Sequence, residues 1–406
     1  MNALHLSGWG VKLRVQNLES RSEIEIVNGR EDDKQSSIMR FKPRRFPYSS
    51  VVIDGHSGYI SLQALHWLSR NKVPIFVMNF DGTVISSILP PMPVKADLRA
   101  AQMQAANDSQ KKFAIAKALV QAKIARSLQV LDWLGECYDI GRDVRLTKCE
   151  ASKLSQVSDV SRLRTMEGRA ALRYWEAFGK VLPEHLDFQG RMTSSHQNNA
   201  SDPVNLAMNY GYGFLEGEVR RAVNSVGLEP SVGFLHDFSD YQTKQSLVYD
   251  LEEPFRWLID VSVLEAFESG TLELRDFYFT GDDYRYRFEI YAKQRFIEAL
   301  RERFNAGVTY KGRVLKWDTV IEQKTTELGR FLTGKSSKLD FEEPATKLDR
   351  QDDRELRAKI LALSASQARH LGIGKSTLHY LRRNASCKRR FDLYRPVAAK
   401  LDSMNL

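Results

Sequence analysis

The sequence is poor in cysteine and has no long apolar stretch. Its three cysteines, Cys137, Cys149 and Cys387, form no Cys-x-x-Cys pair, which argues against a zinc knuckle or a disulfide framework. No apolar run approaches the roughly 18 residues that a membrane-spanning helix needs, so we expect no membrane partner. The start of the chain, MNALHLSGWG, lacks the basic and long apolar segments of a signal peptide. These absences predict a cytoplasmic protein.

Positive charge, in contrast, is abundant and unevenly distributed. The 406 residues carry a formal net charge of +9, with 42% hydrophobic and 27% charged residues, which is typical of a globular protein and favours polyanionic partners. Residues 351–406 contain 12 lysines and arginines against 5 aspartates and glutamates, a surplus of seven. Most of the excess charge therefore lies in the last part of the chain, where nucleic-acid binding is expected.

The apolar pattern indicates an α+β protein with a strand-rich start and a helical remainder. Alternation over residues 11–15 and similar segments predicts an N-terminal β-rich domain at 1–92, which ends in a proline-rich stretch. Good helix formers then predict a larger all-α domain at 93–333. The polar residues 334–353 predict a flexible linker before a small C-terminal domain at 354–406.

Within the large domain, helical spacing predicts several separate helices. Asp202 and Pro203 are a favourable start, because aspartate caps a helix and proline suits its first turn. The expected helices cover residues 95–140, 155–180, 203–226, 245–268, 285–305 and 318–333.

The last domain has the pattern of a helix-turn-helix. Helices are expected over residues 355–363, 366–371 and 375–383, with Gly372 at the turn between the last two. Six residues of the last helix would face the major groove or its phosphates: Lys375, Ser376, Thr377, His379, Arg382 and Arg383. A following cluster would add contacts to the DNA backbone: Lys388, Arg389 and Arg390. The alternative is an ordinary helical hairpin with a solvated basic face.

Three short segments supply a carboxylate–imidazole–carboxylate set. Glu167 precedes a run of small residues, His236 follows Gly-Phe-Leu, and Asp250 and Glu253 are spaced to share one helix face, with Glu252 facing solvent. Carboxylates suit Mg²⁺ and Mn²⁺, and Mn²⁺ also accepts imidazole, so Glu167, His236 and Glu253 could hold such an ion. A divalent ion serves phosphodiester chemistry by neutralising charge and orienting the attacking oxygen. Taken singly, such residues are more often surface carboxylates, structural histidines or helix caps than metal ligands.

In their order and spacing, the motifs resemble the CRISPR-associated integrase family, the metal-dependent DNA integrase of the adaptation complex. The resemblance covers about residues 5–330, and its motifs are Asn71-Lys72-Val73-Pro74-Ile75, Glu167-Gly168-Arg169-Ala170-Ala171, Asp202-Pro203-Val204-Asn205, Gly233-Phe234-Leu235-His236 and the run from Asp250 to Arg256. It implies a β domain that dimerises and a helical domain in which Glu167, His236 and Glu253 bind Mg²⁺ or Mn²⁺. Asp250 would be a supporting catalytic carboxylate. The family often has aspartate where this chain has Glu253, so the choice between Asp250 and Glu253 stays open.

The chain departs from that family in its length, because the usual member would end near residue 330. The added linker and helix-turn-helix resemble casposases, transposon-encoded relatives that integrate their own element. This resemblance implies that a homodimer, or a dimer of dimers, joins 3′-hydroxyl ends of a mobile element to double-stranded target DNA in the nucleoid. Two alternatives remain: a CRISPR adaptation integrase with an added DNA-binding tail, and a non-catalytic DNA-binding regulator.

Basic and aromatic residues around the candidate metal ligands are further candidates for DNA contact. Arg169 and Arg173 follow Glu167 on one predicted helix, and either could line a phosphate path or be a solvated surface charge. Aromatic residues that could stack on nucleotides, or equally belong to a core, are Tyr174, Trp175, Tyr210 and Tyr212.

Overall fold

The fold was obtained as a computed structural model, which describes residues 3–18, 21–29, 37–55, 57–79, 82–91, 95–136, 138–191, 200, 202–236, 245–280, 285–341 and 353–386. The chain forms two compact units. The first comprises Met1–Lys123 and Ser194–Pro344, and the second comprises Ile124–Thr193 and Ala345–Leu406. All strands of the described residues belong to the first unit.

The N-terminal part of the first unit holds two four-stranded sheets. Their strands are β1 (Ala3–Gly8), β2 (Val11–Leu18), β3 (Arg21–Val27), β4 (Ile38–Phe41), β5 (Ser50–Gly55), β6 (Gly58–Ile60), β7 (Ile75–Met78) and β8 (Val84–Ile88). One sheet has the order β1-β5-β7-β8, with β1, β5 and β7 parallel and β8 antiparallel. The other has the order β4-β3-β2-β6, antiparallel except for the parallel pair β2 and β6.

The alternating apolar residues of these strands form a common core. Leu13 and Ile24 are fully buried in it, because successive side chains of a strand point to opposite faces. Helix α1 (Leu62–Arg70) begins at Ser61, whose hydroxyl accepts a hydrogen bond from a first-turn amide, and buries Trp67 in the same core. The predicted β-rich start with one packed helix is confirmed.

Helices dominate the chain after residue 95: α2 (Ala96–Asn107), α3 (Ser109–Gly135), α4 (Gly141–Ser152), α5 (Val160–Gly179), α6 (Pro203–Val226), α7 (Ser246–Glu252), α8 (Arg256–Ser269), α9 (Ile290–Asn305) and α10 (Trp317–Leu332). In the first unit, α6 packs against α7, α8 and α10. Asp202 caps α6 by accepting the amide of Asn205 at 2.8 Å, and Gly227 ends it with a φ of 89°. The predicted range 203–226 of this central helix is confirmed, and its start has the cap that the sequence indicates.

Two short hairpins interrupt the helical part of the first unit. They are formed by β9 (Phe277–Thr280) with β10 (Arg285–Phe288), and by β11 (Val308–Tyr310) with β12 (Arg313–Leu315). The expected helix over 285–305 is wrong in its first residues, because Arg285–Phe288 alternates with period two and buries Phe288 opposite Phe277. The α+β class is confirmed, with these hairpins as an unpredicted addition.

In the second unit, α4 packs against α5, and three further helices end the described chain: α11 (Asp353–Ala362), α12 (Ala365–His370) and α13 (Lys375–Ser386). The last three enclose a small core of Ile360, Leu363, Ala368, Ile373, Leu378 and Leu381. Their bounds agree closely with the predicted helices, and Gly372 has a φ of 70° at the expected turn.

The predicted linker 334–353 begins with a packed segment in the first unit. Phe341 is buried, and the carbonyl of Asp340 accepts a hydrogen bond from Lys324 Nζ at 2.9 Å. The proposed domain boundaries themselves stay predictions. Within the described part of the chain, we find no helix with the length and apolar character to cross a bilayer.

Candidate functional site

The loop Gly233–His236 is built around the carboxylate of Asp250 on α7. Asp250 Oδ2 accepts hydrogen bonds from the backbone amides of Phe234 and Leu235. Its Oδ1 accepts the backbone amide of His236 at 2.9 Å and Nδ1 of the same ring at 2.8 Å. Asp250 is fully buried, so these four donors replace water as partners of its charge.

Gly233 allows α7 to pass close to this loop. A Cβ at position 233 would lie 2.7 Å from the Cβ of Ser246 and 2.9 Å from Asp250 Oδ2, which is too close for any other residue without a shift. The next two side chains, Phe234 and Leu235, are buried and anchor the loop. The motif Gly-Phe-Leu-His thus ends with an imidazole that remains 40% exposed.

The His236–Asp250 pair suits a metal-binding histidine. A carboxylate only accepts hydrogen bonds, so it fixes the ring proton on Nδ1 and leaves the lone pair on Nε2 for a metal. Both Asp250 oxygens are already engaged by donors. The geometry therefore favours a supporting role for Asp250 over direct ligation.

Glu253 starts a short 3-10 turn, Glu253–Phe255, which joins α7 to α8. Its buried carboxylate faces cations on both oxygens: Lys123 Nζ lies 2.6 Å from Oε2, and Arg256 Nη2 lies 3.5 Å from Oε1. Burial alone would raise the pKa of Glu253, but Arg256, Lys123 and His236 together lower that pKa to about 2. The carboxylate is therefore ionised, as a metal ligand must be.

The expectation that Glu252 faces solvent is wrong, because its side chain is only 2% exposed. Helix α7 is buried on almost every side, so a helical-wheel argument finds no solvent face there. Burial, and then the nearby charge of Glu216, raises the pKa of Glu252 well above the usual carboxyl range. Arg256 lies slightly farther from Glu252 than from Glu253, with Nη2 at 3.7 Å from Glu252 Oε2 and at 3.5 Å from Glu253 Oε1. The two adjacent carboxyls therefore shift in opposite directions: the pKa of Glu252 is raised and that of Glu253 is lowered.

Glu167, the third candidate ligand, lies half-buried on α5 in the second unit, whereas His236 and Glu253 lie in the first. A Cβ on the following Gly168 would meet no atom within 4 Å. Across the described ranges, no three or more His, Cys, Asp or Glu side chains are gathered as a metal-binding group. The joint ligand set of Glu167, His236 and Glu253 stays a prediction.

The two arginines predicted to contact DNA on α5 lie near carboxylates. Arg169 is exposed, and Arg173 pairs with Glu176 at 2.7 Å while its side chain remains 43% exposed. A hydrogen bond from Lys153 lowers the pKa of Glu150 despite the opposing effect of burial, and the charges of Arg169 and Arg173 lower it further. The positive field of α5 therefore extends onto α4.

The last helix, α13, presents part of its predicted DNA-binding face to solvent. Lys375, Ser376 and His379 are exposed, and Thr377 is half-buried. Arg382 differs, because its guanidinium donates a hydrogen bond to the carbonyl of Leu363 within the same three-helix core. The remaining candidates lie outside the described side chains: Arg383, Lys388, Arg389 and Arg390. DNA contact by this set stays a prediction.

The aromatic candidates for nucleotide stacking divide by burial. Tyr174 and Tyr210 are buried, which favours the core alternative for both. Trp175 is half-buried and packs edge-on against Tyr174, with ring centroids 4.8 Å apart. The ring of Tyr212 lies 5.1 Å from the guanidinium of Arg256, so this tyrosine supports the residue that faces Glu253.

Sequence reasoning does not find Lys123. It lies on α3 among many lysines and alanines, where a lysine is usually solvated, and nothing in its spacing indicates contact with a distant glutamate. Arg256 could have been found, because it follows Glu253 by three residues inside the same motif.

Comparison with known proteins gives consistent matches. The sequence profile of the family described as "CRISPR associated protein Cas1" matches residues 28–302. A CRISPR-associated endonuclease Cas1 of Archaeoglobus fulgidus is 28% identical over 320 residues, covering 74% of this chain and 90% of that protein. A CRISPR-associated endonuclease Cas1 of Thermus thermophilus is 31% identical over 315 residues, covering 76% of this chain and 88% of the relative.

A solved structure extends the similarity further along the chain. A casposase bound to integration product superposes with a TM-score of 0.79 at 32% identity, and the match covers 89% of this chain and 99% of the casposase chain. The structural match therefore includes more of this chain than either sequence match does.

Proposed function

This chain belongs to the Cas1 family, and on that premise we propose that it is a metal-dependent DNA integrase of the casposase type. A 3′-hydroxyl at the end of a mobile element attacks a phosphorus atom of target DNA and loses its proton as the new P–O bond forms. The P–O3′ bond of the target strand breaks and its 3′ oxygen leaves as a hydroxyl after taking up a proton, so the element is joined to the target by strand transfer. The observation that carries this proposal is the arrangement of His236, Asp250 and Glu253. A buried aspartate fixes the histidine tautomer in the same unit as a buried, ionised glutamate.

Glu167, His236 and Glu253 would hold the divalent ion, Mg²⁺ or Mn²⁺. Two carboxylates and one imidazole nitrogen match the ligand preferences of Mn²⁺, and the carboxylates suit Mg²⁺. When bound, such an ion neutralises charge at phosphorus and orients the attacking oxygen. A metal-bound imidazole has no free lone pair, so His236 serves as a ligand rather than as a general base.

The other residues of the site position these ligands. Asp250 keeps the His236 ring oriented with its proton on Nδ1, so it contributes to catalysis through the histidine. Lys123 and Arg256 keep Glu253 ionised although its carboxylate is buried. Loss of the contact between Asp250 and His236 is expected to lower metal affinity before it alters contact with DNA.

DNA would be held by two basic surfaces. The exposed side chains Lys375, Ser376 and His379 of α13 occupy positions i, i+1 and i+4, which lie along one side of a helix that can enter a major groove. Arg169 and Arg173 on α5 would contact phosphates near Glu167. Phosphate contacts give affinity and position, whereas base contacts give specificity.

The CRISPR adaptation integrase is the second candidate, favoured by the two endonuclease Cas1 relatives. The casposase function is supported by the solved casposase, which is 32% identical and is matched over 89% of this chain and 99% of its own length. Terminal inverted repeats around the gene would favour the mobile element, and a neighbouring repeat–spacer array would favour adaptation. Either integration joins two DNA ends, so a homodimer or a dimer of dimers is expected.

The direct test is strand transfer by the purified protein without a partner. The reaction contains a short duplex with a free 3′-hydroxyl, a supercoiled plasmid, and Mg²⁺ or Mn²⁺. We expect joined product that disappears with EDTA and with Glu253→Gln. The matched control is Glu136→Gln, which makes the same chemical change at an exposed position and should keep full activity.

The outcomes separate the candidate functions. Joining by the protein alone supports an autonomous integrase of the casposase type. Joining only after addition of a second protein would favour the adaptation integrase. If the protein binds specific DNA but joins no DNA ends under any condition, both integrase functions are contradicted and the non-catalytic DNA-binding regulator remains. Full activity of Glu253→Gln would show that the metal assignment is wrong.

A further inference from the structure

Lys123 approaches the candidate metal ligand Glu253 from a different helix. Its side chain extends from α3, is 18% exposed, and places Nζ 2.6 Å from Glu253 Oε2, which is itself on a carboxylate only 4% exposed. An ion pair this buried and this short is a defined contact rather than a solvated surface pair. The lysine therefore contacts an oxygen that a metal ligand would need for its ion.

The positive charge next to Glu253 already exceeds the negative charge of its carboxylate. Arg256 faces Oε1 while Lys123 faces Oε2, so two cations surround one carboxylate. Glu216, whose charge acts on Glu252, is engaged by its own partner Arg220, whose Nε donates to Oε1 at 2.7 Å. A divalent cation would thus arrive at a carboxylate whose charge is more than compensated, which is unfavourable unless one resident cation leaves.

We propose that Lys123 is a positioning residue that holds Glu253 Oε2 in the metal-free protein and withdraws from it when a divalent metal binds. This inference rests on the proposed function, since it takes Glu253 as a metal ligand. Of the two cations, Lys123 is the more readily displaced. It has a flexible four-carbon stem, whereas the guanidinium of Arg256 is also held against the ring of Tyr212 at 5.1 Å.

Competition for the same oxygen makes Lys123 a determinant of metal affinity. Binding of the ion includes the cost of breaking the Lys123–Glu253 pair, so removal of the ammonium should tighten binding. A partly buried ion pair of about 1 kcal/mol corresponds to roughly a five- to tenfold change in an equilibrium constant. A lysine that merely supported the ligand would have the opposite effect, because its loss would weaken binding.

The first experiment uses the unmodified protein and measures lysine reactivity. Amine acylation followed by mass spectrometry is carried out with and without Mn²⁺, while electron paramagnetic resonance follows bound Mn²⁺. Acylation of Lys123 should rise severalfold when Mn²⁺ binds. Lys293 is the control, because it is buried in an ion pair with Asp54 at 2.5 Å and should stay protected. Unchanged acylation of Lys123 at full Mn²⁺ occupancy would overturn the proposal.

The second experiment compares Lys123→Met with Lys111→Met, a control at an exposed position on the same helix. The Mn²⁺ dissociation constant should fall about five- to tenfold in the first variant and stay unchanged in the second. An equal or larger constant for Lys123→Met would contradict the displacement. The Glu253→Gln variant tests the proposed function separately from the role of Lys123. If Glu253→Gln does not weaken Mn²⁺ binding, both the ligand assignment and this inference are wrong. If it does and Lys123 has no effect, only this inference falls.

Discussion

Substitution of Asp250 by asparagine should damage the site more than its small chemical change suggests. The Asp250 carboxylate accepts two donors on each oxygen: the amides of Phe234 and Leu235 on Oδ2, and the amide and ring nitrogen of His236 on Oδ1. Asparagine has one accepting oxygen, so in either orientation its NH₂ group faces two donors. Two buried hydrogen bonds are then lost and two donors are left without partners.

The expected magnitude follows from these contacts. Hydrogen bonds to a charged group contribute about 1.5–3 kcal/mol each, and removal of a buried charged partner costs about 3–5 kcal/mol, so we expect Asp250→Asn to lower the unfolding free energy by about 3–5 kcal/mol. Urea unfolding followed by circular dichroism measures this loss. Because the His236 tautomer is no longer fixed, Mn²⁺ affinity should also fall about 10- to 100-fold.

Asp132→Asn makes the same change on a side chain that is 52% exposed and should alter stability by less than about 0.5 kcal/mol. If Asp250→Asn were as mild as this control in both stability and Mn²⁺ affinity, the carboxylate would not organise the histidine loop. Nitrogen chemical shifts of the His236 ring would show directly whether Nδ1 still carries the proton.

Three further predictions concern other parts of the chain. Gly233→Ala should cost about 1–3 kcal/mol of unfolding free energy because its Cβ has no room, whereas Gly168→Ala, where the space is open, should stabilise by about 0.5–1 kcal/mol; urea unfolding compares the two. Deletion of residues 354–406 should weaken binding to element ends, and if about three phosphate contacts are lost, the slope of log affinity against log salt should become shallower by about 3; titrations at several salt concentrations test this. Burial acts to raise the pKa of Glu25, but hydrogen bonds from Arg14 and Arg40 lower it. This glutamate therefore stabilises the fold above the usual carboxyl pKa and loses that effect as the pH falls, so Glu25→Gln should cost more stability at pH 7 than at about pH 3. Equal costs at both pH values would contradict the ion-pair argument.

The parts of the fold that the sequence predicts well are those determined by neighbouring residues. Asp202 and Pro203 mark the start of α6 because capping needs only the first helical turn. The helices and core of the C-terminal segment follow from a short apolar pattern around Gly372. Strand alternation likewise assigns Leu13 to the core, since the side-chain period of a strand is fixed by its backbone.

The parts that the sequence does not predict depend on contacts between distant segments. Glu252 is buried because α7 is covered on almost every side, which a helical wheel cannot represent. Lys123 meets Glu253 only because the fold brings α3 close to the turn between α7 and α8. The sequence does not indicate the hairpin of β9 and β10, because β10 has only four residues and lies directly before α9. Its pattern is therefore assigned to the start of that helix.

Asp250 and Glu253 lie three residues apart, and the sequence leaves open which of them is the metal ligand. Their positions along this short segment give them different partners. Both are buried, and the sequence places them on one helix face. Asp250 is held by backbone amides, which cannot leave without unfolding the loop. Glu253 lies beyond the end of α7 and is faced by side-chain cations on flexible stems, which can move. A metal ion needs a ligand whose partners can be exchanged at low cost, so Glu253 is suited to ligation and Asp250 to holding the histidine that completes it.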